Sequence, residues 1–477
     1  PMKDVPTPIQ VTFEKLKQQE QTPLQLRHTK GHYYVNKIHT TWNKQKKQPQ
    51  KQTQSLGKIT PDGTYHPKKQ KTKQSTTQTY EYGSPQLLLN LSQDIQNIKT
   101  NIPHINELIV LSIIRATHPG PIRQTQTTWN DLYISTKTNL NLNLTPKNVT
   151  TILKNIGIMT QETYDLFHDL TPQGGMLFYD LTSILSSSKR LLLAERGYNP
   201  GWEQSGQIRV ALAFSTTTHL PVAIDVFYGS LKEVKILNYF KAHYSGSDLG
   251  FIMDRGFTSY ELLLELKKAG IHYIVPLMKN SQFLPPAVEF SGVFEYGKKR
   301  MVACAKACCG EYGFLYLFKD PRLGRLTEEH LLAQVFKQKL SMEQYGFEHR
   351  LAGVFGILSD LDVEPVVVYG QYKAREEIEQ AFDYLKNDLE ADRTCLGDDD
   401  VVRGYFVVVF LAMRLYFKIL LRLRERGLVG VVSVREVLYV LSKMRMIVEA
   451  NGREYLCALP KKTEEIQKIF SDLLKIP

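Results

Sequence analysis

The sequence predicts a mixed α/β protein with a β-rich insertion, preceded by a basic N-terminal arm and a helical domain. Three observations lead to this fold class. The spacing of apolar residues changes from helical to strand-like near residue 175, strands and helices then alternate to about residue 280, and a second strand-rich stretch ends near residue 350. A chain of 477 residues is long enough for several domains.

The first 80 residues carry nearly all of the net positive charge. They contain 15 Lys and Arg against 4 Asp and Glu, a balance of +11, whereas the whole chain has a net charge of +12. Residues 32–36 and 40–42 have the composition of short strands, and a disordered tail or flexible linker is the alternative. We therefore predict that residues 1–80 form a basic arm or a small DNA-contacting module.

Residues 81–170 show helical spacing of apolar side chains. The pattern runs through residues 87–98 and 105–114, and a further helix opens at Pro146. Several short helices beside a basic segment predict a helical DNA-binding domain. A plain helical bundle without such a role is the alternative.

Two isolated carboxylates interrupt the strands of the next segment, residues 171–280. Asp180 stands in the middle of an apolar strand, and Asp254 follows directly after another. An unpaired charge is costly in such a place, so each acid needs a partner or a function. Acidic side chains at the carboxyl ends of strands are typical of a site at the edge of an open sheet.

The stretch from residue 281 to 350 predicts a β-rich insertion subdomain. Strand-like segments at 292–297, 299–307 and 312–318 precede a predicted helix at 328–339. A structureless loop of this length is uncommon in a folded domain. The second part of the core then follows at 351–425, and residues 426–477 are predicted as C-terminal helices, with one helical run from 434 to 447.

A row of polar residues after position 370 has the spacing of one helix face. At about 100° per residue, Tyr372, Arg375, Glu379 and Lys386 fall within an arc of about 60°. The face would carry a phenol, a guanidinium, a carboxylate and an ammonium group, which suits metal and phosphate binding. A solvated charged face is the alternative that spacing alone favours.

The spacing Tyr-x2-Arg-x3-Glu-x6-Lys resembles the signature of DDE transposases of prokaryotic insertion sequences. The members in question carry a β-strand insertion in an RNase H-like catalytic domain, and the resemblance covers residues 175 to about 420, including the segments around Asp180 and Asp254. By geometry alone Glu376 or Asp383 could also bind metal. The resemblance selects Glu379.

The resemblance implies a catalytic metal site made of Asp180, Asp254 and Glu379. These three carboxylates would hold two Mg²⁺ or Mn²⁺ ions, because ligation by oxygen alone favours hard cations over zinc. The reaction implied is hydrolysis of a phosphodiester bond at the ends of the element, followed by transesterification into target DNA.

The resemblance also implies the partners of the chain. Tyr372, Arg375 and Lys386 would bind DNA phosphates near the cleaved bond, in terminal inverted repeats and in target DNA, within a homodimeric synaptic complex. No membrane segment or secretory signal is visible, so we expect a cytoplasmic, nucleoid-associated protein.

Two other functions stay open at this point. One is a domesticated transposase that binds DNA without catalysis, and the other is an RNase H-like nuclease that cuts without strand transfer. Relatives hold a flipped base on a Trp of the insertion, but all three Trp of this chain lie outside residues 281–350. Tyr or Phe could stack on the base instead.

Overall fold

The computed structural model describes residues 5–19, 23–29, 31–43, 48–68, 77–98, 102–137, 142–196, 206–232, 235–238, 249–257, 259–278, 280–285, 288–297 and 299–475. Two units are distinguished. Residues 1–77 and 449–452 form the first, and residues 78–448 and 453–477 form the second. No helix in the described part of the chain has the length and apolar content needed to cross a membrane.

The helices are α1 (Thr7–Gln19), α2 (Gly83–Leu91), α3 (Gln93–Gln96), α4 (Ile105–Thr117), α5 (Thr125–Asp131), α6 (Ile134–Lys137), α7 (Pro146–Ile158), α8 (Thr160–Leu170), α9 (Tyr260–Lys268), α10 (Pro321–Phe336), α11 (Met342–Arg350), α12 (Pro365–Lys373), α13 (Glu376–Asp383), α14 (Asp399–Glu425), α15 (Val434–Leu441) and α16 (Lys461–Ile469).

The strands are β1 (Leu24–Thr29), β2 (His32–Asn43), β3 (Gln48–Ile59), β4 (Tyr65–Pro67), β5 (Gln78–Glu81), β6 (Gly175–Ser186), β7 (Gln207–Ser215), β8 (Pro221–Tyr228), β9 (Leu249–Met253), β10 (His272–Pro276), β11 (Gly292–Tyr296), β12 (Arg300–Cys308), β13 (Phe314–Lys319), β14 (Val354–Ser359), β15 (Arg393–Thr394), β16 (Arg445–Val448) and β17 (Glu454–Leu456).

Local capping residues set the start of several helices. Side chains of Asp320, Ser341, Asp398 and Ser433 accept hydrogen bonds from backbone N–H groups in the first turns of α10, α11, α14 and α15. Each of these bonds satisfies a donor that the helix itself leaves without a partner. Helices α7, α10 and α12 also begin with Pro, whose missing N–H is harmless at that position.

The first unit is a helix packed on a four-stranded antiparallel sheet. The strand order is β1-β2-β3-β4, and α1 contributes Ile9 and Phe13 to a small core with Val35 and Ile59. The two segments predicted as short strands both lie on β2, which is twelve residues long. The described residues of the basic segment are therefore folded, and their contact with DNA stays a prediction.

The second unit contains a large mixed sheet. Its strand order is β11-β12-β13-β14-β10-β9-β6-β7-β8, and β15 pairs with β6. Strands β6, β7 and β8 are antiparallel neighbours, whereas β6, β9 and β10 run parallel. The predicted mixed α/β sheet is confirmed. Of the helix expected at 231–244, only residues 231, 232 and 235–238 are described, and the last four are helical.

The insertion extends this sheet instead of forming a separate one. Strands β11, β12 and β13 are antiparallel, and β14 joins them to the core because it pairs with β13 on one side and β10 on the other. Helices α10 and α11 follow β13 and complete the insertion. The strand-rich character expected for residues 281–350 is thus present, within one continuous sheet.

The helical segment shares its hydrophobic core with the large sheet. The buried helix α14 packs against α4, α7 and β8. The backbones of α7 and α14 are in direct contact at two glycines. A Cβ at Gly404 would lie 1.9 Å from the Leu153 carbonyl oxygen, and a Cβ at Gly157 would lie 1.8 Å from the Asp400 carbonyl oxygen. The DNA-binding role predicted for this segment is untested.

The C-terminal region differs from the prediction of helices alone. The helical run predicted from 434 to 447 is wrong beyond Leu441, where α15 ends. Residues 445–448 form β16, which pairs with β5 and β17 in a three-stranded antiparallel sheet. The partner β5 lies near the start of the second unit, so no local pattern could reveal this pairing.

Candidate active site

Two neighbouring parallel strands position the first two carboxylates. Tyr179 of β6 pairs with Met253 of β9, so the next residues, Asp180 and Asp254, stand side by side at the same level of the sheet. Both predicted acids therefore lie together. Asp180 accepts a hydrogen bond of 2.8 Å from the Leu181 N–H through Oδ1.

The guanidinium of Arg375 joins these acids to the third. Its Nη1 lies 2.7 Å from Asp254 Oδ1, and its Nη2 lies 3.4 Å from Glu379 Oε1 and 3.9 Å from Asp180 Oδ2. We call these four residues the Arg375 cluster. Three carboxylates surround one cation, which leaves a formal charge of −2 (one positive and three negative groups).

Solvent access differs among members of the Arg375 cluster. The side chain of Asp180 is 19% exposed and that of Glu379 is 60% exposed, so the cluster is open on the Glu379 side. Burial raises the pKa of Asp180 to about 6, against the opposing effects of the Leu181 N–H and Arg375. Burial also disfavours the charge of Arg375, but the carboxylates outweigh it and its pKa is raised.

The prediction of one continuous helix from 372 to 386 is wrong. Helix α12 ends at Lys373, α13 begins at Glu376, and residues 384–388 form a π-helical turn. The backbone N–H of Arg375 bonds to the carbonyl of Tyr372, three residues back, which tightens the chain at this point. The break directs the Arg375 side chain toward the strand carboxylates.

Tyr372 and Lys386 consequently occupy different surroundings. The ring of Tyr372 packs 6.0 Å from that of Phe355, and burial raises its pKa while the adjacent Arg375 lowers it. Lys386 is half-buried on the π-helical turn, where burial lowers its pKa and Asp392 opposes that effect. Thus Asp180, Asp254 and Glu379 each contact Arg375, and Tyr372 borders this guanidinium. The charge that acts on Lys386 is that of Asp392.

A second charged cluster, missed by the sequence analysis, anchors the helix just before Arg375. Asp320 is 1% exposed, and it accepts hydrogen bonds from the Tyr369 hydroxyl at 2.7 Å and from Arg300 Nη1 at 3.2 Å. The ammonium of Lys373 lies 3.5 Å from the same carboxylate. We call these residues the Asp320 cluster. In the sequence, Asp320 followed by Pro indicates only the start of a helix, so the cluster is not visible there.

Glu377 fixes the helix that carries Glu379. Its carboxylate lies 2.8 Å from His219 Nδ1 and 2.8 Å from Arg424 Nη1, so α13 is tied both to the turn after β7 and to the end of α14. Both partners of Glu377 are distant in the chain, so no local sequence pattern indicates its role.

The carboxylates of the Arg375 cluster have the chemistry, but not the arrangement, of a metal site. All donors are oxygens, which suits Mg²⁺ or Mn²⁺. Nevertheless, no group of three or more His, Cys, Asp or Glu among the described residues is arranged to hold a metal ion. The oxygens are directed at the guanidinium instead. Its buried Nε has no hydrogen-bond partner in the described part of the chain.

Comparisons with known proteins give one family match. Residues 185–415, just under half of the chain, match the family model described as "Transposase DDE domain". That range contains Asp254, Arg375 and Glu379 and begins shortly after Asp180. A search of curated proteins gave no match.

One solved structure is similar over most of the chain. It is the cryo-EM structure of a piggyBac transposase synaptic complex with hairpin DNA, at 10% identity and a TM-score of 0.37, covering 82% of this chain and 77% of that one. At these values the likeness bears on neither the fold nor the function of this chain.

Proposed function

We propose that this chain, in which residues 185–415 match the transposase DDE domain, is a DNA transposase that cuts DNA at insertion-sequence ends and joins those ends to target DNA. The observation that carries the proposal is the Arg375 cluster. Asp180 and Asp254 stand level on adjacent parallel strands, and Glu379 reaches the same guanidinium from α13.

The three carboxylates are the residues that would hold the metal ions. When two Mg²⁺ or Mn²⁺ ions are bound there, they supply stabilisation of the negative charge on the attacking and leaving oxygens of an in-line displacement. The exposed side chain of Glu379 leaves one side of the cluster open to solvent and to DNA. We also infer that the sheet is RNase H-like, because β6, β7 and β8 are antiparallel neighbours and β9 and β10 run parallel to β6, within the range for which the resemblance implied that fold.

Arg375 has two partners in this proposal. Without DNA it neutralises part of the cluster as an internal counter-ion. With DNA its guanidinium turns toward a phosphate near the cleaved bond, for which a planar group with several donors is well suited. Tyr372 and Lys386 are proposed to contact neighbouring phosphates, and two copies of the chain act together at the paired ends.

The test is a cleavage and joining assay with the full chain. The substrate is a labelled duplex that carries the inverted repeat flanking the gene, with a supercoiled plasmid as target and either Mg²⁺ or EDTA present. We expect Mg²⁺-dependent nicks at the repeat end and labelled products joined to the plasmid. Cleavage without joining would assign a nuclease, and binding with neither reaction would assign a catalytically idle DNA-binding protein.

A further inference from the structure

The four-stranded sheet of the first unit has one face covered by α1 and one face that no described helix of the unit covers. Side chains alternate between the faces of a strand. Val35 and Ile59 pack against Ile9 and Phe13 of α1, so their immediate strand neighbours on the regular side of the β2–β3 bulge point away from the helix. Tyr34 and Lys58 are such residues.

Strand register places four polar side chains in one row on that outer face. Arg27 of β1 pairs with Tyr34 of β2, Tyr34 pairs with Lys58 of β3, and Lys58 pairs with His66 of β4. We call these four residues the outer row. Arg27 and His66 are exposed, and the other two are half-buried. At about 4.8 Å between strands, Arg27 and Lys58 lie roughly 10 Å apart, close to the ~12 Å width of the major groove.

The sheet carries no negative charge. None of the residues of β1 to β4 is Asp or Glu. In the described part of this unit the acids are Glu14, on α1, Asp62, in the turn before β4, and Glu449, in the segment 449–452. No described carboxylate pairs with Arg27 or Lys58. The positive charges of Arg27 and Lys58, which no described carboxylate neutralises, are complementary to a polyanion.

We propose that the outer row binds the sugar-phosphate backbone of duplex DNA, an inference that rests on the proposed function. Arg27 and Lys58 contact phosphates, and the hydroxyl of Tyr34 lies between them as a further donor. Contacts of this kind fix the position of the protein on the duplex without reading its sequence. The row therefore supplies general affinity, and sequence recognition resides elsewhere.

The experiment compares two double variants of the full chain that remove the same charge from opposite sides of this unit. Arg27→Gln with Lys58→Gln alters the outer row, and Lys15→Gln with Lys17→Gln alters exposed positions of α1. Binding to a fluorescein-labelled 30-base-pair duplex of arbitrary sequence is followed by anisotropy between 0.05 and 0.4 M KCl. Arg27, Lys15 and Lys17 are exposed and Lys58 is half-buried, so the thermal unfolding midpoints of both variants should stay close to that of the parent.

The outer-row variant should lose two phosphate contacts. Its slope of log affinity against log salt should fall by roughly 1.8, which corresponds to about 60-fold weaker binding at 0.1 M salt. The slope of the α1 variant should fall by less than half of that amount. Equal slopes for the outer-row variant and the parent, or an equal loss in both variants, would overturn the inference.

Lysine acetylation of the unmodified parent gives a second readout that does not depend on a variant. Bound duplex should protect Lys58 but not Lys15, and equal modification of the two would again contradict the proposal.

Cleavage by the parent separates this inference from the proposed function. If the parent cuts and joins DNA while the slopes stay equal, only the outer row is wrongly assigned. If the parent binds DNA but does not cut it, the salt-dependence slopes still test whether the outer row binds DNA.

Discussion

The Arg375 cluster and the Asp320 cluster are opposite arrangements of the same kinds of group. In the first, three carboxylates surround one guanidinium at a partly exposed place. In the second, one fully buried carboxylate meets a guanidinium, an ammonium and a phenol. Burial raises the pKa of Asp180, whereas the partners of Asp320 outweigh burial and lower its pKa.

The difference distinguishes the proposed active site from a cluster whose contacts are structural. The Asp320 carboxylate has all its oxygens engaged, so further ligands are neither needed nor admitted. The Arg375 cluster has an excess of negative charge, which favours the binding of further cations. The two clusters are joined by one short stretch of chain, since Tyr369 and Lys373 belong to one and Arg375 and Glu379 to the other. The buried cluster therefore holds the segment that presents the exposed one.

The largest expected effect is that of Asp180→Asn on catalysis. Mg²⁺-dependent cleavage should fall roughly a hundred-fold or more, because bound metal contributes several kcal/mol to transition-state stabilisation. DNA affinity measured by anisotropy should stay near that of the parent. Asp131→Asn, at an exposed helix end, is the control. Parent-level cleavage by the Asp180 variant would remove this residue from the metal site.

Asp320→Ala should have the largest effect on stability. It leaves Arg300 and Lys373 without their common counter-ion, and because both are partly solvated we expect the free energy of unfolding to fall by about 3 kcal/mol. Asp362→Ala is a matched control, since that carboxylate is 70% exposed and pairs with Lys306 at the surface. Its cost should be below about 1 kcal/mol. Similar denaturant midpoints for both variants would contradict the structural role of Asp320.

Arg375→Gln should separate two roles of the guanidinium. Cleavage should fall roughly tenfold or more because the phosphate loses its orienting partner. Mn²⁺ binding without DNA, measured by electron paramagnetic resonance, should tighten about tenfold because a competing cation is removed. Arg375→Lys keeps the charge, so its Mn²⁺ affinity should stay near that of the parent while cleavage still falls. Unchanged Mn²⁺ affinity in the Gln variant would argue against the counter-ion role.

Lys386→Ala should have the smallest effect of the four changes. Its ammonium is half-buried on the π-helical turn, and Asp392 is the charge that acts on it, so we expect cleavage and joining to fall only a few-fold with DNA affinity nearly unchanged. Turnover on a pre-cut and an intact element end should be compared. A loss as large as that of Arg375→Gln would place Lys386 among the main phosphate ligands.

The sequence was sufficient for the features that local patterns encode. The strands around Asp180 and Asp254, the strand-rich insertion and the helices of the 81–170 segment follow from apolar spacing and turn residues. Only one expectation indicated that the two acids lie at the same level, namely that the carboxyl ends of strands meet at one edge of the sheet. Their roles in catalysis are still predictions.

Features held by distant contacts escaped the sequence analysis. No Gly or Pro marks the break between α12 and α13. Arg375 is turned by carboxylates on β6 and at the end of β9, which are far away in the chain. The same reason applies to Asp320, whose partners come from β12 and α12, and to β16, whose helical spacing is overridden by pairing with β5. Tertiary contacts of this kind decide the conformation where local propensity is weak.

The pairing of β5 with β16 has a consequence for the order in which the chain is made. Arg445 pairs with Glu81, so 364 residues (445 − 81) must be added after Glu81 is incorporated before its partner exists. At roughly 5–20 residues per second, that delay is about 20–70 seconds. Helix α14, which covers α4 and α7, also arrives late. During this interval the apolar faces of the first helices stay uncovered, which exposes the nascent chain to aggregation.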